Sequence, residues 1–163
     1  MAQRGISLVY GGGRVGLMGV LAEAVLTGGG SVTGVIPGHL HDKEVGHDAL
    51  SELVVVDTMH ERKARMSELA DAFAVLPGGL GTLDETFEII TWRQLQLHDK
   101  PVVVIDVDGY WAPLEALIAS MVQGGFVRET HAALFTVVRE VDALFEALDS
   151  MPAPRFGIDT GRM

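Results

Sequence analysis

The chain has 163 residues, 48% hydrophobic and 21% charged, which suits a folded chain with a full core and excludes a disordered one. A formal net charge of −10 argues against a general nucleic-acid surface, since a phosphate backbone needs a clustered positive face, but it leaves room for a small phosphorylated ligand. With no cysteine there is no disulfide, thiolate nucleophile or cysteine-bound zinc, and no apolar run nears the roughly 20 residues of a membrane span, so a cytoplasmic protein is expected.

Short β-rich apolar runs alternate with amphipathic segments of helix length. In chain order the pattern predicts a strand over 6–10, a helix over 17–27, a strand over 31–36 and a polar loop over 37–50. A strand over 53–56, a helix over 58–71, a strand over 72–76 and a helix over 82–97 follow. A strand over 101–106, a helix over 111–123, a weaker strand over 134–138 and a helix over 142–148 close the domain. This alternation predicts an α/β fold of the doubly wound kind, a parallel sheet with helices on both faces. Pro101-Val102-Val103-Val104-Ile105 is apolar without alternation, as a strand buried on both sides requires. Residues 1–149 read as one domain, and 150–163 as a C-terminal tail expected to fray.

Two glycine-rich turns stand between strands and helices. Gly11-Gly12-Gly13-Arg14-Val15-Gly16 satisfies G-x-G-x-x-G. A dinucleotide site also wants an acidic residue at the end of the next strand, and here that strand ends Val35-Ile36-Pro37-Gly38. The first turn is therefore read as a structural turn or a contributor to another ligand's pocket. The second, Pro77-Gly78-Gly79-Leu80-Gly81-Thr82, opens a helix, where bare backbone and free N–H groups suit an anion. No Gly-Lys-Ser/Thr follows, so the expected ligand is a monophosphate without obligatory magnesium, the alternative being a tight packing turn.

Thr82 and Glu85 fit a capping box, which would set Glu85 in the first helical turn and favour its ionised form. Thr58 and Glu61 fit another. On that second helix, at about 100° per residue, Lys63 shares a stripe with Met59, Met66 and Ala70, and Arg62 flanks it with Leu69. Cations on an apolar stripe need an anionic partner, or else snorkel at its edge. His39, His41, Asp42 and His47 share one loop without a clear fourth metal ligand, so the reading is no metal and a solvated loop. The helix from Thr82 is apolar nearly all round, which one sheet cannot cover, and this suggests a partner helix from a second subunit.

The run Pro77-Gly78-Gly79-Leu80-Gly81-Thr82-Leu83-Asp84-Glu85 resembles the PGGxGTxxE signature of the LONELY GUY family, the cytokinin riboside 5′-monophosphate phosphoribohydrolases often labelled lysine decarboxylases. Val9-Tyr10-Gly11-Gly12-Gly13, Gly16-Leu17-Met18-Gly19, Val35-Ile36-Pro37, Met59-His60-Glu61-Arg62-Lys63, Ile90-Thr91-Trp92 and His98-Asp99-Lys100-Pro101 match in order, so the resemblance covers nearly the whole chain. It implies a Rossmann-like fold, a homodimer and no cofactor. The implied catalytic residues are Arg62 and Glu85. The implied nucleotide-binding residues are Glu44, Arg62, Lys63, Gly79, Leu80, Gly81, Thr82, Leu83, Asp84, Glu85 and Thr91. Asp84 stands where the family usually has glutamate, and the family's first strand, its Gly-Ser loop and most of its first helix have no counterpart here.

The implied reaction is hydrolysis of the N-glycosidic bond of an N6-modified AMP, giving free base and ribose 5-phosphate. Its transition state carries positive charge on the ribose, so a fixed carboxylate is the natural catalyst. Glu85 is expected to stabilise that charge and orient water, Arg62 to position the ribose phosphate and keep Glu85 ionised, and the Gly79–Gly81 amides and Thr82 to anchor the phosphate. The rivals are a general purine-monophosphate nucleosidase and a non-catalytic nucleotide- or cofactor-binding protein.

Overall fold

In the computed structural model, which describes residues 1–41, 50–152 and 154, the chain forms two units, Met1–Ala70 and Asp71–Met163. The first holds a three-stranded parallel sheet in the order β1 (Leu8–Tyr10), β2 (Val32–Pro37), β3 (Glu52–Val56), with Leu8 beside Val32 and Gly34 beside Leu53. Helix α1 (Leu17–Thr27) links β1 to β2, and its Ala22 and Val25 pack with Leu8, Tyr10 and Val32. Val35 and Ile36 are consecutive, so they point to opposite faces of β2. Both are fully buried, hence both faces are covered. A short helix α2 (Gly38–His41) opens the segment expected to be a polar loop, and α3 (Met59–Leu69) packs against all three strands.

The second unit holds the order β4 (Phe73–Val75), β5 (Val102–Ile105), β6 (Thr136–Val138), again all parallel. The four residues of β5 are buried without alternation, as the apolar run predicts. Val102 and Val104 face α4 (Leu80–Gln94) and α5 (Ala112–Gln123), packing with Ile89, Ile90, Trp111 and Leu114. Val103 and Ile105 face α6 (Val141–Ser150) through Leu144. Each such side chain contributes roughly 1.5–3 kcal/mol by leaving water. Helices α4 and α5 make successive connections that move the same way across the sheet, so crossovers of the one usual hand set both on one face, and α6 packs on the other.

The α/β, Rossmann-like class is therefore observed; β1, β4, β5 and β6 are shorter than expected by a residue or two at their ends, β2 is shifted by one residue and β3 starts one residue earlier. Helix α4 differs more, beginning at Leu80 instead of Thr82. It stops at Gln94 because Gln96 adopts a left-handed φ of 60° that no helix continues through. The expected tail falls largely on residues outside those described. Among the described residues, no helix is long and apolar enough to cross a membrane.

Candidate active site

The predicted site residues fall on two elements, the start of α3 in the first unit and the start of α4 in the second. Thr58 caps α3 as expected. Its Oγ1 accepts the Glu61 N–H at 3.1 Å, and Glu61 Oε2 accepts the N–H groups of Asp57 at 2.8 Å and Thr58 at 3.3 Å. This box fixes the turn from which Arg62 projects. Arg65 and Glu68 pair at 3.1 Å on the solvent side, while Lys63 is half-buried and Arg62 is only 8% exposed.

Arg62 is the unusual group. Among the described residues, its Nη1 reaches the Met59 thioether, at 3.8 Å, and its Nε is buried with no hydrogen-bond partner. The guanidinium lies on Gly11, just past the end of β1, where a Cβ would overlap Nη2 and stand 2.8 Å from Cζ. A buried cation without a carboxylate is costly, and an anionic or strongly hydrogen-bonding ligand would offset that cost. Nearby residues of the first turn are explained by the fold itself. Gly12 and Gly16 have φ of 76° and 67°, the left-handed region that favours glycine. Burial raises the pKa of the Tyr10 phenol above its usual value, opposed by the charge of Arg14, and its hydroxyl is buried without a partner among the described residues.

On α4 the expected capping box is not formed. The N-cap is Gly79, which has no side chain to cap with, and the first intrahelical bond runs from Leu83 N–H to Gly79 C=O at 3.1 Å. Thr82 therefore lies inside the first turn, its carbonyl accepting the Thr86 hydroxyl at 2.6 Å, and Glu85 falls in the second turn. The N–H groups of Leu80, Gly81 and Thr82 precede the first intrahelical bond and have no helical acceptor.

The three glycines of this turn are not equivalent. A Cβ at Gly78 would overlap the Thr82 hydroxyl, so that glycine serves internal packing. At Gly79 and Gly81 an added Cβ would meet none of the described residues within 4 Å, and neither residue has a positive φ. Tyr110 donates its hydroxyl to the Gly78 carbonyl at 2.6 Å, pinning the turn from outside. Tyr110 reaches it from the loop after β5, where the buried Asp106 Oδ1 accepts the Trp111 N–H at 2.6 Å.

Of the remaining predicted residues, Leu80 is 86% exposed, Leu83 is half-buried against the core, Asp84 is exposed and Glu85 is half-buried. Thr91 is exposed six residues past Glu85, about 240° further round the helix, so the two side chains leave different faces. Glu44, with Asp42 and His47, lies outside the described residues. Among the described residues, no three His, Asp or Glu side chains are grouped to hold a metal. Sequence reasoning missed Tyr110 and the Gly11–Arg62 contact. Tyr110 stands 32 positions from Gly78, and no local pattern links such a pair.

A family model described as "Possible lysine decarboxylase" matches residues 18–148. The chain is 47% identical over 149 residues to a protein of Oryza sativa subsp. japonica named "Probable cytokinin riboside 5'-monophosphate phosphoribohydrolase LOGL9", covering 91% of this chain and 66% of that one. To LOGL1 of the same plant, which bears the same description, it is 52% identical over 128 residues, 78% of this chain and 57% of the relative. To the Arabidopsis thaliana "Cytokinin riboside 5'-monophosphate phosphoribohydrolase LOG2" it is 44% identical over 149 residues, covering 91% and 70%. The chain spans less than two thirds of the length of the two rice relatives.

Proposed function

This chain belongs to the LONELY GUY family, and on that premise we propose that it hydrolyses the N-glycosidic bond of cytokinin riboside 5′-monophosphates, releasing the free base and ribose 5-phosphate. The observation that carries the reading is the pair Gly79 and Gly81. Glycine inside a helix costs about 0.5–1 kcal/mol relative to alanine, and at Gly81 neither packing among the described residues nor backbone angle asks for it, while Gly79, the N-cap, leaves the backbone before it equally bare. A ligand that must come within reach of the backbone does ask for it, and at this helix start the group it favours is a phosphate.

In this reading the amides at Gly79–Gly81, with the Thr82 hydroxyl, hold the 5′ phosphate. That phosphate does not react, and its binding energy holds the ribose in attack geometry. Glu85, about one helical turn beyond Thr82, is the carboxylate that stabilises positive charge developing on the ribose and orients the attacking water. Arg62 is the buried cation whose counter-charge the substrate supplies, with Lys63 and Glu44 as further binding groups. No metal or cofactor enters the scheme. A homodimer is part of the same proposal, supported by Leu80 at the start of α4 and Leu95 at its C-cap, which are 86% and 61% exposed.

The test is Glu85→Gln assayed with isopentenyladenosine monophosphate beside AMP. Binding of AMP should persist while turnover falls by about 100-fold or more, the scale for loss of an electrostatic stabiliser. Near-normal turnover would remove Glu85 from its role. Equal rates on both nucleotides would make the enzyme a general purine-monophosphate nucleosidase. No base released from either by the unsubstituted protein would leave a binding protein.

A further inference from the structure

We propose that Gly11 is a positioning residue for Arg62: its missing side chain is the bed on which the guanidinium lies. The inference rests on the reading of Arg62 as a substrate-binding group. Three observations in the first unit carry it. Arg62 is more than nine-tenths buried, and its Nε has no partner among the described residues. A methyl group at Gly11 would overlap Nη2 and approach Cζ to 2.8 Å and Nε to 3.2 Å, so the whole planar head rests on that Cα. Finally, the backbone at Gly11 is not left-handed, unlike that at Gly12 and Gly16, so its conformation admits alanine.

The first two observations fix what an alanine would displace. The atoms in its way form the far end of a flexible side chain, so the arginine head moves and the backbone stays. The location gives the contact its purpose. Gly11 follows the carboxyl end of β1, the edge of a parallel sheet where ligands are met, and α3 delivers Arg62 there from its capped first turns. The glycine at the head of G-x-G-x-x-G thus does the work of aiming a cation, which a dinucleotide turn does not require.

The experiment is a double-mutant cycle of Gly11→Ala and Arg62→Ala in the full chain, read both by hydrolysis of isopentenyladenosine monophosphate and by thermal unfolding. Gly11→Ala should lower kcat/KM by about 100-fold, the scale for displacing a positioning group by an ångström. In the Arg62→Ala background the same substitution should cost nothing further in rate, because the head it displaces is gone. Additive losses, or near-normal kcat/KM in Gly11→Ala, would overturn the proposal. Should Gly11→Ala fail to fold, the double variant decides: recovery of folding supports the seat, and continued failure assigns Gly11 to the backbone alone. Should the unsubstituted protein release no base, the functional reading fails, and the unfolding cycle still tests the seat. Destabilisation by Gly11→Ala only when Arg62 is present upholds it, and equal destabilisation in both backgrounds refutes it.

Discussion

Three glycines a few residues apart in the second turn illustrate how differently one residue type is used. Gly78 makes room for Thr82, whereas Gly79 and Gly81 make room for none of the described residues. This asymmetry yields an unusual prediction. Gly81→Ala should stabilise the fold, by about 0.5–1 kcal/mol at most in the first turn of a helix, and should raise KM for the nucleotide. Equilibrium denaturation alongside steady-state kinetics measures both. A variant that loses stability as well as affinity would show that the glycine serves the fold. Arg62 stands at the other extreme, a large charged side chain held where water cannot reach Nε. Its burial agrees with the helical stripe on which the sequence puts it, but its partner on Gly11 lies 51 positions away in sequence.

At the scale of elements, α3 and α4 show why capping patterns need tertiary confirmation. Both begin with a Thr-x-x-Glu run, yet only Thr58 and Glu61 close the reciprocal bonds. In α4 the preceding Gly79-Leu80-Gly81 extends the helix backwards and turns Thr82 into an interior residue. Thr58→Ala should therefore lower stability by about 1 kcal/mol, the usual cost of losing a side-chain cap, visible as a lower denaturation midpoint at unchanged slope. Thr82→Ala removes no cap, so a comparable loss there would contradict the observed helix start. The apolar circumference of α4 is likewise divided by packing. Ile89 and Ile90 are buried against β5, whereas Leu80 and Leu95 remain at the surface.

For the molecule as a whole, one buried imidazole ties stability to pH. His98 is 1% exposed, its Nε2 lies 2.8 Å from the Ile89 carbonyl, and its Nδ1 accepts the Lys100 N–H at 3.1 Å. Since Nδ1 accepts, Nε2 carries the proton and donates, and the ring is satisfied only when neutral. Burial holds its pKa below the usual value, with the Ile89 hydrogen bond opposing. The unfolded chain thus takes up a proton on this residue at a higher pH than the native one. Its contribution is fully present above about 6.5 and is lost as pH falls from there through the lowered native value. The stability gap between the natural chain and His98→Asn should narrow between neutral pH and pH 5, measured by denaturation at each pH. A gap that stays constant or widens on acidification would contradict the neutral, doubly bonded ring.

The order of strands and helices, the inward face of α3 and the two-sided burial of β5 follow from periodicity and capping residues, because those signals are local and repeat every two or 3.6 residues. The PGGxGTxxE run likewise marks a helix start and a family directly. Long-range packing alone decided the rest: where α4 begins, which glycine of a turn is occupied by a neighbour, the strut from Tyr110 and the bed under Arg62. Such contacts join residues tens of positions apart whose side chains carry no shared pattern, so they exist only once the chain has folded and two surfaces compete for the same space.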